Sequence, residues 1–180
     1  MELLLGCGNN RIKHLQAEGR PREWTKLVTL DIDPNCGADI LADIDDPAGL
    51  PFANDTFDEV HAYEVLEHLG TQGDYRAFFR HFGEIYRVLK HGGVLCASTP
   101  IWDGEWAWGD PGHRRVISLG TLTFLDQDWY QECGTSTRTD YRWLWKGDLK
   151  TVWSQPHGTS LFWVLQAHKG GMPEGHEVYG

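Results

Sequence analysis

The chain has no apolar run approaching transmembrane length, and no membrane association is expected of it. Paired or zinc-type cysteine spacing is also missing. Cys7, Cys36, Cys96 and Cys133 stand apart, with Cys7 in a glycine turn and Cys96 in an apolar run. Both are natural places for a reduced thiol, so a reducing, cytoplasmic compartment is expected. Positive charge is scarce. Lysine and arginine number 16 against 26 aspartates and glutamates, for a net charge of −10. Such a chain repels a phosphate backbone unless its basic residues cluster. The densest group, Arg11, Lys13, Arg20, Arg22 and Lys26, is diluted by Glu18 and Glu23 and reads as a solvated helix face. Nonspecific nucleic-acid binding is therefore not expected. Leu4-Leu5-Gly6-Cys7 superficially resembles a lipoprotein cleavage box, but the apolar stretch before it is too short and Glu2 stands where a positive charge belongs, so no leader is expected.

What is present is ordinary for a globular chain: 180 residues, 41% hydrophobic and 23% charged. A domain of this size buries about 70% of its unfolded surface. With no internal repeat or linker, residues 1–169 read as one domain and 170–180 as a loose tail.

The most informative stretch is the first ten residues. Leu3-Leu4-Leu5 reads as a short buried strand and Gly6-Cys7-Gly8 as the turn leaving it. Glycines suit a turn whose backbone must pass close to a nucleotide-like ligand, because a Cβ would collide or forbid the dihedrals. A second buried run, Leu27 to Leu30, ends in Asp31, 23 positions after Gly8. That is near the ~20-residue offset of a ribose-binding carboxylate in doubly wound folds.

Between these motifs, residues 9–19 are predicted to form a helix, with Asn9 or Asn10 as N-cap and Ile12, Leu15 and Gln16 toward the sheet. Strands are predicted at 24–32, 38–44, 59–63 and 94–98. Tyr75, Phe78, Phe79, Phe82, Ile85, Tyr86 and Leu89 recur at helical spacing, which predicts a long core-facing helix over 74–90. A further helix is expected at 119–132. Residues 141–145 and 161–167, around Lys146-Gly147-Asp148, read as a terminal antiparallel hairpin. Strands alternating with helices imply an α/β, doubly wound, Rossmann-like sheet, mostly parallel with an antiparallel end.

Leu5-Gly6-Cys7-Gly8, Leu30-Asp31-Ile32-Asp33, Leu50-Pro51-Phe52, Phe57-Asp58-Glu59, Val65-Leu66-Glu67-His68 and Leu89-Lys90-His91-Gly92-Gly93 follow one another at the spacing of a known family. The chain resembles class I S-adenosylmethionine-dependent methyltransferases across roughly residues 1–100. From Asp110-Pro111-Gly112-His113 onward it resembles small phage- and prophage-encoded members. It departs from them in carrying Leu4 where an acid is usual and Asn10 near the usual third glycine. It also begins at the first strand, without the helices that often cover the cofactor.

The resemblance implies methyl transfer from S-adenosylmethionine to an O, N or C nucleophile of a small-molecule or nucleotide-like acceptor. A non-catalytic cofactor-binding module is the rival, and an NAD-type dehydrogenase is disfavoured by the later motifs. Backbone groups of Gly6, Cys7 and Gly8 would pass the methionine and ribose, and Asp31 would accept from both ribose hydroxyls. Ile32 would pack on adenine, while Asp43 and the Ile44 backbone would read its edge. Glu64 is expected beside the cofactor. His68 and His113 are the candidate catalytic pair, with His68 a possible base. Glu64, Glu67, His68 and His113 also resemble a divalent-metal set of other methyltransferases, and Glu67 and His68 suit plain capping as well. No residue is assigned to a metal. Residues 100–118, with Trp102, Trp106, Trp108, Arg114 and Arg115, are expected to form a lid in which tryptophans stack a flat substrate and arginines hold an anion.

Overall fold

The computed structural model describes residues 1–170; the tail from 171 lies outside the described residues. Seven strands form one sheet: β1 (Glu2–Leu5), β2 (Leu27–Asp31), β3 (Ile40–Leu41), β4 (Phe57–Tyr63), β5 (Leu89–Pro100), β6 (Leu149–His157) and β7 (Ser160–Ala167). Their order is β3-β2-β1-β4-β5-β7-β6. The first five run parallel, and the β6–β7 hairpin is antiparallel, with β7 against β5.

β1 is buried on both faces, which its unbroken Leu3-Leu4-Leu5 run requires of a central parallel strand. Leu3 and Leu5 face the main core; Leu4 faces a smaller cluster with Cys7 and Cys36. The main core is closed by helix α1 (Tyr75–Val88), whose Phe78, Phe79, Phe82 and Ile85 all turn inward. Asp74 caps the helix by accepting from the Ala77 amide at 3.0 Å. Its end is abrupt, for Leu89 already begins β5, which encloses the predicted 94–98 strand.

Four sequence expectations are corrected. Residues 9–19 form no helix. Side chains take the backbone groups that a helix would use: Trp24 Nε1 donates to Arg11 O, Tyr63 Oη accepts from the Leu15 amide at 3.1 Å, and Asn10 Oδ1 accepts from the Ile12 amide at 2.9 Å. Ile12 is exposed, while the side chain of Lys13, read from sequence as solvated, is 1% exposed with its ammonium 2.9 Å from Glu59. The 38–44 strand shrinks to Ile40–Leu41, because the carboxylates beyond it fold back on local amides, Asp43 on Asp45 and Asp46 on Ala48. The 119–132 helix is only α3 (Leu119–Leu122) followed by two 3-10 turns. There Trp145 Nε1 takes the Leu125 carbonyl, and Asp126 accepts from the Asp128 amide. Residues 141–145 are turns packed on α1 rather than a strand, and the hairpin is instead 149–157 with 160–167 around Gly158 (φ +60°).

Candidate functional site

The carboxyl ends of β1, β2, β4 and β5 meet along one edge of the sheet. Gly6 leaves β1 at φ +57°, and its amide donates to the Leu30 carbonyl at 2.8 Å. A Cβ there would collide with the Val65 methyls, so the turn demands glycine. Gly8 follows at φ +45°, with open space where a Cβ would project. Its amide donates to Asp31 Oδ2 at 2.7 Å, and Oδ1 accepts from the Asp33 amide at 2.9 Å. Asp31 is thus buried and aimed at the glycine turn, while Ile32 beside it is 64% exposed. Cys7 packs under the turn; burial pushes its thiol up to about 11, with Cys36 adding to the rise.

A cavity of about 260 Å³ opens next to this turn, on the sheet face opposite α1. Tyr63, Ser98 and Phe162 line it because they are lateral neighbours on β4, β5 and β7. Gly6, Cys7 and Glu64 line it as well. His14 reaches the same cavity and lies edge-on to Tyr63, with ring centroids 4.9 Å apart. Sequence reasoning missed His14, Tyr63 and Phe162. The one available signal, alternation along the strands, identifies a face but not what covers it. Asp43 is exposed and occupied by the Asp45 amide at 2.8 Å, and Ile44 is half-buried. Both lie just beyond β3, whose next residue, Ala42, donates to the Asp31 carbonyl at 3.0 Å.

Glu64 adopts φ +54°, a conformation rare outside glycine, at the exit of β4. It leads into a 3-10 turn, Leu66–His68. Glu67 on this turn is 1% exposed, and among the described residues neither of its carboxylate oxygens has a hydrogen-bond partner. Burial pushes its carboxyl up to about 8, and the neighbouring Glu64 and Asp110 carboxylates add to the rise. His113 Nε2 lies 3.9 Å from Glu67 Oε1 and 4.0 Å from Asp110 Oδ2. His68 and His113 are in edge-to-face contact, with ring centroids 4.7 Å apart. Backbone pairing brings them together: the Arg114 and Arg115 amides donate to the Glu67 carbonyl at 2.9 and 3.1 Å. Gly112 lets the chain pass, since a Cβ there would sit 3.2 Å from His68 Nδ1.

Within 100–118 a short helix, α2 (Glu105–Gly109), presents Trp106 and Trp108, and Trp102 precedes it; all three are exposed. The arginines do not stand ready for an anion. Arg115 is buried and donates to the Thr71 and Asp74 carbonyls, and Arg114 lies 3.4 Å from Asp45.

Residues 3–97 match the family described as Methyltransferase domain. Over 74 residues the chain is 36% identical to a sterol 24-C-methyltransferase of Eremothecium gossypii; that stretch is 39% of this chain and 18% of the relative's length. The fold is similar to a methyltransferase solved with the Haloferax volcanii Trm112 activator (TM-score 0.58, 16% identity, 95% of this chain and 83% of that one). It is also similar to an S-adenosylmethionine-dependent methyltransferase from Mesorhizobium loti (TM-score 0.54, 15% identity, 92% and 89%).

Proposed function

This chain belongs to the Methyltransferase domain family, and we propose that it moves a methyl group to an O, N or C nucleophile of a small-molecule or nucleotide-like acceptor. Its cofactor is S-adenosylmethionine, as family and fold imply. When bound, the cofactor supplies a methyl already activated by positive sulfur, so no covalent nucleophile is needed from the protein.

One observation carries the assignment of the cofactor's place: a buried carboxylate, Asp31, aimed at an open glycine turn beside an exposed isoleucine. The residues present fit the group. An ionised carboxylate has about four acceptor positions. Asp31 spends two on backbone amides and keeps the others for a pair of vicinal hydroxyls. Ile32 offers the apolar surface for adenine, with Asp43 and the Ile44 backbone at its edge, and Gly6, Cys7 and Gly8 leave room for the chain of the cofactor. Among the residues lining the cavity Glu64 alone carries a carboxylate. With Leu4 apolar and 2% exposed, Glu64 takes the ammonium of the cofactor's amino-acid end. His68 and His113 face the acceptor, orienting it or taking its proton. Residues 100–118 cover the site within a single domain, 1–169, and the exposed tryptophans offer flat faces to an acceptor.

The net charge of −10 suits a small acceptor better than a bare phosphate backbone. Four free thiols suit a reducing, cytoplasmic setting. Among the described residues no helix is long and apolar enough to cross a membrane. Calorimetric titration of the purified chain with S-adenosylmethionine and its demethylated product tests the reading: one site is expected for each, and no heat with either ends it. Binding without turnover on any acceptor would favour the binding-module reading, which the apolar Leu4 supports.

A further inference from the structure

We propose that Glu67, His68 and His113 bind one divalent transition-metal ion, zinc or manganese, at the carboxyl end of β4. The three residues each offer a ligand atom, and those atoms lie within 4.8 Å of one another. Among the described residues, Glu67 is almost wholly buried with both carboxylate oxygens unpartnered, and His113 Nδ1 is buried and unpartnered too. A buried polar atom without a partner costs about 1–3 kcal/mol, more when charged, so the two oxygens of Glu67, with His113 Nε2 at 3.9 Å, call for an occupant.

The surroundings select a cation. Asp110 adds a further carboxylate, its Oδ2 4.0 Å from His113 Nε2. The nearby guanidiniums are engaged elsewhere, Arg114 with Asp45 and Arg115 with two carbonyls. One oxygen and two imidazole nitrogens suit zinc or manganese, whereas calcium and magnesium prefer oxygen shells. His68 carries the usual outer support of a metal-binding imidazole: its Nδ1 lies 3.1 Å from the Gly112 carbonyl, which leaves Nε2 free as the ligand atom. In the two other clusters of ligating residues, among the described residues, the carboxylates already have protein partners. Glu59 and His61 bond to each other, with Lys13 on Glu59, and Asp31 accepts two backbone amides beside Cys7 and Cys36. Three protein ligands leave coordination positions for water or an acceptor oxygen. The inference stands on the unpartnered atoms and does not require methyl transfer.

The test uses the whole chain, stripped with chelator and titrated calorimetrically with zinc chloride and manganese chloride. One equivalent of at least one ion is expected, with uptake at least 10-fold weaker in Glu67→Gln and His113→Ala. Affinity for demethylated cofactor is measured in parallel, so loss of metal uptake and loss of cofactor binding are read separately. Metal-dependent thermal stabilisation of the unsubstituted chain gives a second readout that needs no variant. Absence of stoichiometric uptake of both ions, or uptake unchanged in both variants, overturns the proposal.

Discussion

Lys13 holds its ammonium inside the protein, 2.9 Å from Glu59 and 3.7 Å from Glu2, with the lysine side chain 1% exposed. Burial alone would raise the Glu59 carboxyl, but His61 and Lys13 outweigh it and hold the group below its usual range. Removing one partner of such a pair strands a buried charge, at about 3–5 kcal/mol. Lys13→Ala is therefore expected to destabilise the fold by about that amount in urea unfolding. Lys13→Met paired with Glu59→Leu should recover much of the loss. The proposed ribose contact of Asp31 belongs to the same scale. Asp31→Ala should weaken binding of demethylated cofactor by about 1.5–3 kcal/mol, the range for hydrogen bonds to a charged group. Unchanged calorimetric affinity would place the ribose elsewhere.

Asp45 acts between elements. It joins the loop after β3 to α1 through Arg80 (2.8 Å) and His81 (2.7 Å), and to the 100–118 segment through Arg114. Burial pushes its carboxyl up, yet the His81 hydrogen bond, the Gly70 amide and Arg80 together hold it below the usual aspartate value. A depressed folded value adds stability that is present above the unfolded pKa of about 3.9 and lost as pH falls through the folded value. Thermal melting between neutral pH and about pH 3 should lose part of its acid limb in Asp45→Asn. An unchanged acid limb would show that the carboxylate is unlinked to folding. The 100–118 segment is anchored at Glu67 by the Arg114 and Arg115 amides, while its tryptophans stay exposed. Hydrogen exchange over 99–118 should slow when demethylated cofactor is added; equal exchange would remove the lid from the account.

For the whole molecule, a ligand that binds only the folded chain stabilises it by mass action, about 2.7 kcal/mol at 100 times its dissociation constant. Demethylated cofactor should raise the melting temperature accordingly. Under the proposed assignment of the two imidazoles to the acceptor, His68→Ala and His113→Ala should lower turnover while leaving that shift nearly intact. A matching loss of the cofactor-induced shift would assign them to cofactor binding instead.

Much of the architecture was written in local pattern. The Leu3-Leu4-Leu5 run, the Gly6 and Gly8 turn, Asp31 at the end of β2 and the α1 stripe are each dictated by a periodicity or a dihedral demand within a few residues. Those features imply a parallel sheet and a nucleotide-like ligand without any long-range contact. Residues 9–19 went the other way. Helix propensity there is outweighed by a buried lysine, a tryptophan and a tyrosine, whose partners lie up to 48 positions away. The grouping of Glu67 with His113 was legible only through a family resemblance and not from local pattern, because the Arg114 and Arg115 amides meet the Glu67 carbonyl only once β4 and β5 are side by side. Local chemistry chose the elements, and the environment of each polar group, set by distant partners, decided which of them are satisfied and which wait for a ligand.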